Sequence, residues 1–240
     1  MTRILRFEPG AASDIEEPLE LTPPTQLDSV SAVHKIYLPE SYVPGYAYPL
    51  LVWFHDEGGD EQEIDAVLPK ISERNYLGVA LRGNMVRSLR FGWSNTPERL
   101  SQTITELDEL IDGMQQEFRI HRDRIYLAGF GTGGTLAWEI LLSQPSRWAG
   151  AICLSGRFPK IEHPLAMFRE LQKRRLLLSS GWDRPASQVA ELVNAGRLMY
   201  SAGMQVGTRM YERAVTAPTD RMLRDIDHWV MDSIATAIHA

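Results

Sequence analysis

Residues 124–140, RIYLAGFGTGGTLAWEI, set a short apolar run, four glycines and an amphipathic segment in succession. A strand–turn–helix bend of this kind does chemistry in two ways. Its apex can display a nucleophilic side chain, or its amides can cradle an anion at the start of a helix. Here the apex of Gly129-Phe130-Gly131-Thr132-Gly133 is Gly131, so no hydroxyl, thiol or carboxylate projects from it; without one, no covalent acyl intermediate forms there. Glycine accepts the left-handed backbone that such an apex requires. Thr132 holds the nearest hydroxyl, but it stands one position along and is β-branched, so it is expected to serve as a helix cap.

The same letters satisfy G-x-G-x-x-G through Gly129, Gly131 and Gly134, a pattern that suits a pyrophosphate. That fingerprint normally opens its domain, whereas three predicted strands precede it here. The strand that follows, AICLSGRFP, ends on Arg157 instead of an acid. A second polar cluster is HDEGGDEQE, residues 55–63. Grouped carboxylates suit hard cations, but the spacing matches no calcium loop, and a solvated acidic loop with no metal is expected. Ser155, Ser179 and Ser180 fall near predicted strand ends without a base beside them. Cys153 is the single cysteine, which excludes an intrachain disulfide and a cysteine metal cluster. Within GAICLSG it is expected to be a packed core thiol. No cofactor is implied.

These residues need a scaffold, and the sequence outlines one. Residues 1–30 are rich in Pro, Glu and Asp and read as an extended arm, with Leu19 and Leu21 able to dock it. From residue 31 onward a single domain is expected, in which strands at VHKIYLP, YPLLVWFHD, LGVALRG, RIYLAGF, WAGAICLSG, RRLLLSSG and MQVGTRMYE alternate with helices. The helix of 96–118 opens on Thr96-Pro97-Glu98, a cap followed by proline and an acid. Ile64, Val67, Leu68 and Ile71 have helical spacing, with Pro69 expected to kink or split the helix. Strands alternating with helices predict a mostly parallel central sheet covered on both faces. The net charge of −6 argues against sequence-independent nucleic-acid binding. No apolar run is long enough for a membrane span, and no secretory signal is recognised, so a soluble, cytoplasmic location is expected.

Taken with PLLVWFHDEGGDEQE, RGN, FGWS, SRWAGAICLSGRFP and LLLSSGWDRPAS, the glycine turn resembles the elbow of the phospholipase/carboxylesterase (acyl-protein thioesterase-like) branch of α/β hydrolases. The resemblance covers roughly residues 33–237 and implies the α/β-hydrolase fold. It also implies a Ser-His-Asp triad, whose positions fall on Gly131, Asp183 and a residue near Thr216. No histidine occurs between residues 164 and 227, and His228 comes about three helical turns too late. The oxyanion segment departs as well, with His55-Asp56-Glu57 where the family has His-Gly and a neutral residue. The expectation is therefore a non-catalytic member whose cleft, at His55, Asp56, Trp93, Gly131, Thr132 and Trp182, binds a small ligand, or whose surface binds a protein. Two alternatives stay open: an esterase using an unrecognised nucleophile, and dinucleotide or anion binding at residues 129–134.

Overall fold

The computed structural model describes residues 25–26, 33–87, 90–94, 96–160, 163, 166–213 and 215–238. Its strands are β1 (Thr25–Gln26), β2 (His34–Tyr37), β3 (Tyr48–Phe54), β4 (Leu77–Leu81), β5 (Met85–Arg87), β6 (Arg90–Gly92), β7 (Ile120–Phe130), β8 (Gly150–Leu154), β9 (Arg175–Gly181) and β10 (Gln205–Tyr211). Its helices are α1 (Ile64–Ile71), α2 (Pro97–Glu117), α3 (Gly131–Ser143), α4 (Phe168–Leu171), α5 (Ala186–Ser201) and α6 (Asp220–Ile238).

Seven strands form one sheet in the order β10-β9-β8-β7-β3-β4-β2, parallel throughout except for β2, which runs antiparallel to β4 at the edge. The reason lies in sequences such as YPLLVWF. Leu50, Val52 and Phe54 of β3 face one core with α2, α3 and α5, while Leu51 and Trp53 face the other with α1 and α6. A strand buried on both faces must be apolar at every position. Each such side chain contributes roughly 1.5–3 kcal/mol by leaving water. The expected sheet with helices on both faces is therefore present.

Some local expectations are revised. Pro69 does not split α1: the proline forfeits its own donor to Asp65 O, but the helix runs on to Ile71 and the Ser72 amide still donates to Leu68 O. Ile64, Val67, Leu68 and Ile71 meanwhile bury the apolar stripe. The RGN…FGWS region folds outside the main sheet, as the hairpin β5–β6, with β1 antiparallel to β5. Of the expected N-terminal arm, only residues 25–26 are described; Leu19 and Leu21 lie outside the described residues. Cys153 is fully buried, and burial pushes its thiol up to about 12, as suits a core residue. No helix among the described residues is long and apolar enough to cross a membrane.

Candidate functional site

The carboxyl ends of β3, β7, β8 and β9 converge on a cleft of about 620 Å³. In an open α/β sheet this is where ligands bind. The bend between β7 and α3 forms the floor. Gly131 has φ +55°, a left-handed conformation that disfavours any side chain. Gly133 packs its Cα against the backbone of Phe54 and His55, and Gly134 packs against Gly129 and Leu154. The glycines thus let helix and strand approach each other.

The volume that a side chain at Gly131 would take is filled. A Cβ added there would overlap the carboxylate of Asp56. Asp56 Oδ1 accepts hydrogen bonds from the Thr132 amide at 2.8 Å and the Thr132 hydroxyl at 3.0 Å. The helix is capped, but not by Thr132 as expected. The cap comes from a carboxylate 76 residues upstream, placed where a helix N-terminus favours negative charge. Asp56 thus stands on an amide that a pyrophosphate at this turn would also use. Asp56, Gly131 and Thr132 all line the cleft.

The remaining acids of 55–63 go separate ways. Glu61, 1% exposed, forms a two-pronged pair with Arg82 at 2.7 and 2.5 Å, and that guanidinium holds its carboxyl at about 2. Asp60 accepts the amide of Gln62. Among the described residues, no group of three or more His, Cys, Asp or Glu is placed to hold a metal ion.

Two expected cleft residues are elsewhere. His55 is fully buried: Nε2 accepts the Gly83 amide at 2.9 Å, and Nδ1 then donates to Asp56 O at 2.7 Å. Burial lowers its pKa, and a neutral ring with both nitrogens engaged is a structural pin. Trp182 follows β9 but turns outward, 64% exposed and absent from the cleft lining. Arg184, two residues on, reaches the cleft instead. Trp93 lines the cleft, and its indole donates to His55 O at 2.8 Å.

At the other positions suggested by the resemblance, Asp183 and Thr216 are both exposed, and neither lines the cleft. No histidine is among the lining residues, and His228 faces solvent on α6.

Two further parts of the cleft had little signal in sequence. Glu139, 6% exposed, lies on the cleft stripe Thr132–Thr135–Leu136–Glu139 of α3. Burial alone pushes its carboxyl up to about 7. A lone acid within the apolar run TLAWEILL was the available clue. Ser155 has φ +54°, and its hydroxyl is buried without a hydrogen-bond partner. Arg157 and Arg184 also line the cleft.

Comparison with known proteins agrees with this architecture. Residues 86–233 match the family described as Phospholipase/Carboxylesterase. A protein of Nocardia uniformis subsp. tsuyamanensis named "Putative esterase NocK" is 26% identical over 117 residues, 46% of this chain. That match spans about a third (33%) of the relative's length. The carboxylesterase of Bacillus cereus superposes with a TM-score of 0.68 at 18% identity, covering 84% of this chain and 94% of that one. A carboxylesterase from Mesorhizobium loti gives 0.67 at 16% identity, with 87% and 98% covered. Arabidopsis thaliana SOBER1 gives 0.64 at 18%, with 78% and 100% covered. With its glycine bend, two-faced parallel sheet and family match, the chain belongs to the phospholipase/carboxylesterase family of α/β hydrolases.

Proposed function

We propose that this protein binds a small ligand in the family's cleft without hydrolysing esters by the family's Ser-His-Asp route. One observation carries the reading: the Asp56 carboxylate occupies the volume above Gly131 where a nucleophilic side chain would stand. It holds the Thr132 amide, and the amide after the apex is a donor that an oxyanion would need. A fixed negative charge there opposes a developing oxyanion instead of stabilising it. No histidine lies in 212–219, between β10 and α6, to act as a base.

The esterase reading with another nucleophile has less support. Ser179 is fully buried. Its hydroxyl accepts the Ser155 amide at 3.3 Å. Ser155 has a buried hydroxyl with no base bonded to it. Exposure to a fluorophosphonate probe followed by intact-mass measurement tests the proposal. The expected result is an unmodified chain; stoichiometric labelling of one serine or threonine would refute it.

A further inference from the structure

The two walls of the cleft differ in how their polar groups are satisfied, and the unsatisfied wall points to a ligand class. A recess of about 30 Å³ opens off the cleft and shares Ser155, Arg157 and Arg184 with it; Ser180 and Glu191 also line it. That volume has room for roughly two water molecules, or the two oxygens of a carboxylate.

The recess is rigidly built. Ser155 holds a left-handed φ of +54°, which costs a non-glycine residue roughly 1–2 kcal/mol. Its amide is fixed by Ser179 O at 3.1 Å, and the Arg157 amide donates to Thr135 Oγ1 at 2.9 Å. Phe158 packs edge-on against Trp138, with ring centroids 5.2 Å apart. A strained backbone therefore holds a buried hydroxyl that has no partner. Buried polar groups are nearly always hydrogen-bonded, so this one calls for an explanation. Among the described residues, the guanidinium groups of Arg157 and Arg184 form no ion pair with any carboxylate.

From this geometry we infer that the recess is an anion subsite, and that the ligand is a small organic acid. Its carboxylate sits between Arg157 and Arg184 and accepts from Ser155, while its apolar body lies along Trp93, Leu136 and Phe158. Planar guanidinium groups match a carboxylate with two parallel hydrogen bonds. Glu191 on the same recess disfavours a dianion, which selects carboxylate over phosphate. The inference rests on the reading of the cleft as a binding site, but its test does not depend on turnover.

Isothermal titration of the full chain with 2-naphthylacetate, 2-naphthyl phosphate and 2-naphthylethylamine makes that test, since the acid has no ester to cleave. The expected result is saturable one-to-one binding of the acid, weaker binding of the phosphate, and no binding of the amine. Arg157→Gln and Arg184→Gln, each with the wild-type melting temperature, should weaken acid binding by about tenfold or more, because hydrogen bonds to charged groups are the strong ones. Ser155→Ala should weaken it several-fold. No saturable binding of the acid, equal binding of the amine, tighter binding of the phosphate, or arginine variants that bind like wild type would each overturn the inference. Ester hydrolysis alongside acid binding would instead strike only the proposed function.

Discussion

The elbow side of the cleft and the β8–β9 side are built on opposite principles. On the elbow side every noted charge has an internal answer: Asp56 meets Thr132, Glu61 meets Arg82, and both His55 nitrogens are bonded. Across the cleft, Ser155 Oγ lacks a hydrogen bond and, among the described residues, Arg157 and Arg184 form no ion pair. In the family's chemistry the elbow is where reacting groups stand. Here the protein's own carboxylate stands over the apex, and the unpartnered Ser155 hydroxyl lies opposite. A site made for binding keeps such groups open for a ligand, because a buried polar group left unmade costs roughly 1–3 kcal/mol.

Substitutions can break this contrast, and the largest effect is expected at Gly133. A Cβ there would overlap the Phe54 and His55 backbone, which cannot move without separating α3 from β3. Gly133→Ala should cost about 4 kcal/mol or leave the chain unfolded, as measured by urea denaturation. If Gly133→Ala were neutral, the close helix–strand approach would be wrong.

Next in size is Glu61. Its folded pKa of about 2 lies below the ordinary 4.5, so its contribution is complete above that ordinary value and is lost as pH falls toward 2. Glu61→Gln should cost about 3 kcal/mol at neutral pH and little in acid, with the difference read from melting curves across the pH range.

Gly131→Ala is expected to cost about 2 kcal/mol, partly from the left-handed φ and partly from displacing Asp56. In the Asp56→Gly background the same change should cost about 1 kcal/mol less, a coupling that a double-mutant cycle measures. Additive effects would mean that Asp56 does not fill the apex volume.

The smallest effect has the opposite sign. Glu139 keeps its proton to about pH 7 when folded, whereas an ordinary glutamate releases it near 4.5, so stability falls as pH rises between those values and stays low above them. Glu139→Gln should flatten that limb and stabilise the chain near pH 8 by about 1 to 2 kcal/mol. Glu61 and Glu139 would then show opposite pH slopes, which separates a carboxyl held by a guanidinium from one shifted by burial alone.

Much of this organisation was legible in the residues themselves. YPLLVWF suits a strand buried on both faces, and Gly131 marked an apex with no side chain. What sequence could not show was where side chains at strand ends turn. His55 and Asp56 are neighbours, yet the ring turns into the core and the carboxylate crosses to a helix whose contact residue is 76 positions away. Trp182 looked like a cleft aromatic because it follows β9, but the loop points it outward and brings Arg184 inward. Ser155 was visible as a hydroxyl near a strand end; its left-handed backbone and missing partner belong to the folded chain alone. β5 and β6 are three residues each, too short for a period to be read.

The most direct test is turnover of p-nitrophenyl butyrate by the wild-type chain beside its Asp56→Asn and Thr132→Val variants, since it detects hydrolysis by any mechanism. No rate above buffer is expected from any of the three. Saturable turnover by the wild type that either substitution abolishes would show the elbow end to be chemically alive and would contradict the account.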